Sequence, residues 1–160
     1  MLMSRIVETS RAVAATRSRK VKIEELGAVL SEAQAGDIAP AVSWLSGELP
    51  QGRIGVGWRT LADLDVPSAS VSTLTVAEVD EKLSEVAATS GAGSAARRSA
   101  LLLDLFSRTT ADERAFVIRL VTGELRQGAL EGIMVDAVAA ATALPQASVR
   151  RAFMLSGRLS

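Results

Sequence analysis

The 160-residue chain has no cysteine, no histidine and no tyrosine, and only 3% of it is aromatic. Without cysteine there is no disulfide and no thiolate metal site, which makes an intracellular, cytoplasmic protein the default expectation. Without histidine the commonest general base and the commonest metal ligand are missing. Catalysis would have to run on Asp and Glu alone, so the composition argues against a small-molecule enzyme. No apolar run reaches the roughly 18 residues that a bilayer demands, and no secretory signal pattern opens the chain. No membrane partner is expected. Thin β-branched and aromatic segments disfavour sheets, and Ala, Leu and Val dominate a 48% hydrophobic content. An all-α domain with a real core follows.

The formal net charge is zero, unlike the basic balance usual in nucleic-acid binders. The distribution is less even than the sum. Arg11, Arg17, Arg19, Lys20 and Lys22 lie between Glu8 and Glu24 with no acid among them. Acids gather at Glu24, Glu25 and Glu32 and from Glu78 to Glu85. A neutral total can therefore hold one basic face.

Apolar spacing predicts roughly ten or more helices and no strand. A first half of about 1–64 and a second of about 75–160 flank a Pro- and Ser-containing linker, 65–74. Thr75-x-x-Glu78 and Thr110-x-x-Glu113 read as capping boxes. Gly36-Asp37 can cap a helix that has Pro40 in its first turn. Trp44 and Trp58 each fall on an apolar helical face and are read as core.

One heptapeptide occurs twice: Ser46-Gly-Glu-Leu-Pro-Gln-Gly52 and Thr122-Gly-Glu-Leu-Arg-Gln-Gly128. Each follows an apolar helix and precedes another, so a helix–loop–helix unit is expected twice, related by a pseudo-two-fold axis. Gly47 and Gly123 read as helix C-caps. Glu48 and Glu124 are assigned to capping or to internal ion pairs. Gln51 and Gln127 either bridge their loops or donate to a phosphate.

Three loops set glycine or a small residue directly before a helix: Gly52-Arg-Ile-Gly-Val-Gly57, Ser90-Gly-Ala-Gly-Ser94 and Arg126-Gln-Gly-Ala129. The first turn of a helix carries unpaired N–H groups and partial positive charge, and glycine lets a phosphate approach closely. Arg53, Arg126, Arg97 and Arg98 lie beside these loops, and arginine forks onto phosphate oxygens. Such sites would grip a phosphate backbone without reading bases. A helical protein-interaction scaffold, whose glycines only cap helices, is the alternative.

Ser90-Gly-Ala-Gly-Ser-Ala-Ala-Arg-Arg98 followed by Leu101-Leu-Leu-Asp-Leu-Phe106 resembles the (T/S)GxGSxxRK…LL segment of ATP-dependent DNA ligases. Phe116 to Gly128 is similar to their LxRxxxGxLRxG motif, and Val42 to Pro50 with Ile54-Gly-Val-Gly57 matches the first half. Thr16-x-x-Arg-Lys20 through Leu26 matches the start. The resemblance covers nearly the whole chain and points to the amino-terminal DNA-binding domain, most like the actinobacterial type. It implies an all-helical domain that holds double-stranded, nicked DNA by minor-groove backbone contacts, with the ligase catalytic core as a partner in cis and the nucleoid as its place when bound. Gly55, Gly57, Gly91, Gly93, Ser94, Arg126 and Gly128 would face phosphates, with Arg53, Arg97, Arg98, Arg17, Arg19 and Lys20 as cationic neighbours. The KxDG adenylylation motif is absent, Lys20-Val-Lys-Ile being the nearest match. An isolated or truncated domain is expected, one that binds DNA without sealing it. It needs no cofactor of its own, while ATP and Mg2+ are implied for the parent ligase.

Overall fold

A computed structural model describes residues 1–125 and 131–156. Among the described residues there are nine helices and no strand. The chain runs α1 (Met3–Ala15), α2 (Arg19–Glu32), α3 (Ala35–Leu45), α4 (Trp58–Ala62), α5 (Val76–Ala88), α6 (Ser94–Arg108), α7 (Ala111–Val121), α8 (Glu131–Thr142) and α9 (Gln146–Ser156). None of these helices is long and apolar enough to cross a membrane.

Both capping boxes form. Thr75 accepts from the Glu78 amide while the Glu78 carboxylate accepts from the Thr75 amide, which sets the start of α5. Thr110 and Glu113 repeat the arrangement at α7. Glu113 is also buried and accepts from Ser72 Oγ at 2.5 Å. The second cap is thereby tied to the 65–74 connection.

Helix α2 lies between α1 and α8, and α1 also touches α3 and α7; α3 continues to α5, and α5 to α6. Helices α2 and α8 pack closely at Gly27, where a Cβ would come into ordinary contact, 3.5 Å from the Ala137 carbonyl oxygen and 3.6 Å from the Ala140 Cβ. One core runs through both halves, with Met3, Ile6, Leu26, Trp44, Leu83, Leu102, Phe106 and Met134 all closed to solvent. The 65–74 connection is packed rather than free. Its Leu74 is buried and accepts from the Met3 amide at 2.8 Å, and the Ala69 amide donates to the Thr109 carbonyl at 2.8 Å.

Two expectations need correction. The helix after Gln34 begins at Ala35, so Pro40 lies in its interior rather than its first turn. The lost amide bond is offset by a buried ring, and Asp37 takes the Met1 ammonium at 2.7 Å instead of capping. Trp44 is core, but Trp58 is not: its side chain is 59% exposed. It stands at the first position of the five-residue α4, whose buried residue is Leu61, so the indole has no helix wall to close against.

Candidate nucleic-acid interface

The two heptapeptide copies begin as the same backbone device. At the end of α3 the Gly47 amide donates to the Trp44 carbonyl and the Glu48 amide to the Ser43 carbonyl. At the end of α7 the Gly123 amide donates to Leu120 and the Glu124 amide to Arg119. This paired pattern, with φ of 82° at Gly47 and 72° at Gly123, is the Schellman cap. Backbone amides satisfy the terminal carbonyls, so no side chain is required. Glu48 and Glu124 are accordingly exposed, with no hydrogen bond or ion pair among the described residues, contrary to the capping and ion-pair role read from the sequence. The likeness is local, because the following helices have 5 and 12 residues.

The two caps touch. A Cβ on Gly47 would lie 2.5 Å from the Leu125 carbonyl oxygen. Past the first cap, Gln51 turns away from solvent and donates to Asp80 Oδ1 at 2.8 Å and to Ser84 Oγ at 2.9 Å. It anchors the loop to α5. Gln127 lies outside the described residues.

The loop then exposes Arg53, buries Ile54, turns at Gly55 with φ of 70°, and enters α4 through Gly57. Arg53 has no side-chain partner among the described residues, and neither does Arg59 one turn on. Between this loop and the end of α7 lies an open groove of about 430 Å³, lined by Arg53 to Trp58 with Val121, Thr122 and Glu124. Residues from both repeated segments therefore share one depression.

The third turn joins from the other side. Gly91 and Gly93 adopt φ of 78° and 74°, and Gly93 leads into Ser94 at the start of α6 without a side-chain cap. Arg97 folds back to donate to the Ser90 and Ala92 carbonyls at 2.7 and 2.8 Å. Arg98 reaches further. Its Nη2 donates to the Thr89 carbonyl at 2.5 Å, while Nη1 makes a longer 3.5 Å contact with the Gly55 carbonyl. A Cβ on Gly55 would lie 2.7 Å from that Nη1, so glycine is what admits the guanidinium. Arg98 thus bridges the turns at Gly55 and Thr89, the first of them 43 residues from it in the chain, a contact that spacing does not encode.

Several cations of the basic run from Arg11 to Lys22 are paired. Arg11 pairs with Asp112, and Lys20 stands 3.8 Å from Glu24. Lys22 is buried. Arg19 donates to Asp136 at 2.5 Å and to the Gly132 carbonyl at 3.1 Å, placing the connection against the start of α8. Burial works against ionised Asp136, yet hydrogen bonds from Arg19 and Gln146 outweigh it and hold the carboxyl below its ordinary value. Arg17 is exposed with no partner among the described residues. Arg126 and Gly128, both expected to face phosphate, lie outside the described residues, as does the rest of the Arg126–Ala129 loop.

Arg59 escaped the sequence reading, and Trp58 entered it only as core. The available signal was their place directly after the Gly57 cap of a helix with a single buried position, which leaves its opening residues outside the core.

Residues 65–139 match the family described as DNA ligase N terminus. The chain is 63% identical over 159 residues to a "Probable DNA ligase" of Rhodococcus opacus (strain B4), covering 99% of this chain and 32% of the relative. It is 55% identical over 159 residues to a "Probable DNA ligase" of Nocardia farcinica (strain IFM 10152), covering 99% and 30%. It is 50% identical over 162 residues to "DNA ligase B" of Mycobacterium tuberculosis (strain CDC 1551 / Oshkosh), covering 100% and 32%. The chain thus spans about a third of the length of these relatives. With its own ligase-like motifs in an all-helical fold, the chain is similar over 99–100% of its length to part of these ligases, and its residues 65–139 match the DNA ligase N-terminus family.

Proposed function

We propose that this chain binds duplex DNA without sequence preference and helps a DNA ligase hold a nick, gripping the sugar-phosphate backbone from the minor groove. The observation that carries the reading is the convergence of three turns: Arg98 spans the Gly55 and Thr89 carbonyls, while the 53–58 loop and the second cap line one groove. Within that surface Arg53, Gly57 and the uncapped start of α6 at Gly93 and Ser94 are assigned to phosphates. Arg97 and Arg98 are assigned to positioning the turns, their guanidinium groups being engaged with carbonyl oxygens. Arg17, Lys20, Arg126 and Gly128 are assigned as further backbone contacts on the strength of the family resemblance.

Among the described residues no three carboxylates gather into a metal-holding cluster. We assign the ATP and Mg2+ of ligation to the rest of such an enzyme, with its catalytic core as partner in cis. A protein-contacting role has one observation of its own: α9 leaves Met154 and Leu155 exposed, at 76% and 83%.

Titration of labelled nicked and continuous duplexes at low and moderate salt tests the reading. Binding should weaken steeply with salt, because neutralised phosphates release counterions. Arg126→Ala should lower affinity equally across sequences and reduce the salt slope by about one. A pure scaffold would give no salt-sensitive shift, and that result ends the DNA reading.

A further inference from the structure

Trp58 is the largest apolar side chain on the surface just described, left open because the five-residue α4 gives its indole no wall to close against. A side chain of this size ordinarily contributes through burial, and tryptophan left open marks surfaces that meet a partner. Its neighbours narrow what that partner is. Arg53 and Arg59 stand on either side in sequence, both exposed and without partners among the described residues. Gly57, just before it, has φ of −100°, a conformation any residue adopts, and no described atom lies within 4 Å of where its Cβ would be. Neither backbone geometry nor internal packing accounts for that glycine, yet its bareness keeps the rim beside the indole low. Across the groove stands Glu124, whose exposed carboxylate repels phosphate from the opposite wall.

The pattern is cationic at the rim, apolar at Trp58 and anionic across the groove. A ligand that fits has negative groups at its edges and a neutral, partly apolar body between them. One strand of a nucleic acid has this character, with phosphates flanking each deoxyribose. We propose that Trp58 is a DNA-contacting residue, its indole packing on a deoxyribose at the minor-groove edge while Arg53 and Arg59 take the flanking phosphates. The assignment rests on the duplex-binding reading above and adds an apolar anchor to it.

The two tryptophans supply the assay, because Trp44 is closed to solvent and Trp58 is 59% exposed. Acrylamide quenching of the full chain is measured with and without nicked duplex at low salt, beside the labelled-duplex titration. Duplex should shield the accessible fraction, and Trp58→Phe, which leaves Trp44 as the emitter, should remove both the accessible fraction and its shielding. Trp58→Ala should weaken binding about tenfold, in the range for loss of an aromatic contact to nucleic acid. The salt slope should stay unchanged, since no phosphate charge is lost, and Trp58→Phe should keep most of the affinity. An unchanged melting temperature for Trp58→Ala separates lost contact from lost fold. If duplex binds with its salt dependence but Trp58 stays open to acrylamide and Trp58→Ala binds equally well, the anchor is overturned and the duplex reading survives. If the labelled duplex does not bind at all, both fall. Shielding that appears without DNA as protein concentration rises would assign Trp58 to self-association and overturn the anchor as well.

Discussion

Gly47 and Gly123 offer a matched pair of perturbations. Both occupy the left-handed position of a Schellman cap, at φ of 82° and 72°, and both follow an apolar helix. Alanine at either site meets the same backbone strain, about 1–2 kcal/mol, partly offset by about 0.4–1 kcal/mol from a less flexible unfolded chain. For Gly123→Ala the account stops there, because no described atom lies within 4 Å of the new Cβ. A net loss of about 1 kcal/mol, or roughly 3 °C in melting temperature, is expected. For Gly47→Ala the new Cβ would stand 2.5 Å from the Leu125 carbonyl oxygen, well inside the 3.4–4 Å of ordinary contact. The obstacle is backbone and cannot swing aside, so the two caps must separate. Overpacking of this kind adds about 1–3 kcal/mol. The total of about 2–4 kcal/mol corresponds to roughly 5–15 °C at this chain length. Urea and thermal unfolding of the two variants and the parent give the comparison. Equal losses at the two sites would refute the claim that the copies are pressed together through Gly47.

Arg98→Ala should cost about 2 kcal/mol of stability through its lost charge-assisted bonds to carbonyls, and should weaken duplex binding while leaving the salt slope intact. Arg53→Ala should do the reverse, sparing the melting temperature and lowering the salt slope by about one; a slope change for Arg98 instead would reassign it to a phosphate. Glu78 is held at about 2, below its ordinary 4.5, by hydrogen bonds from Arg108 first and then from the Thr75 amide and hydroxyl. A carboxylate depressed in the folded state contributes its stability above 4.5 and loses it as pH falls toward 2. Glu78→Gln should therefore flatten the fall in melting temperature across that window, and an unchanged profile would remove Glu78 from the acid response.

What the sequence made legible was local. Thr75–Glu78 and Thr110–Glu113 are hydrogen-bonded across three residues, so their pattern alone carries the helix starts. Gly47 and Gly123 were equally readable, because a left-handed cap is a property of a few consecutive residues. The errors lie where distant residues decide. Pro40 sits inside α3 because its ring is buried by the tertiary core, a gain that no capping rule weighs. The apolar periodicity around Trp58 was real, but α4 stops after five residues and offers one buried position. Glu48 and Glu124 were given partners that the backbone of the caps had already made unnecessary. Arg97 and Arg98 were legible as cations beside a glycine turn, whereas their carbonyl partners, one of them 43 residues away, were not. Arg19 met Asp136 across 117 residues for the same reason.

Because a single guanidinium joins the turn at Gly55 to the turn at Thr89, the two lose conformational freedom together. Ordering either one lowers the entropy still to be surrendered at the other, which is cooperativity without any new bond. Under the proposed function, the first phosphate to settle would prepare the seat of the second, and salt that dislodges one would loosen both in step.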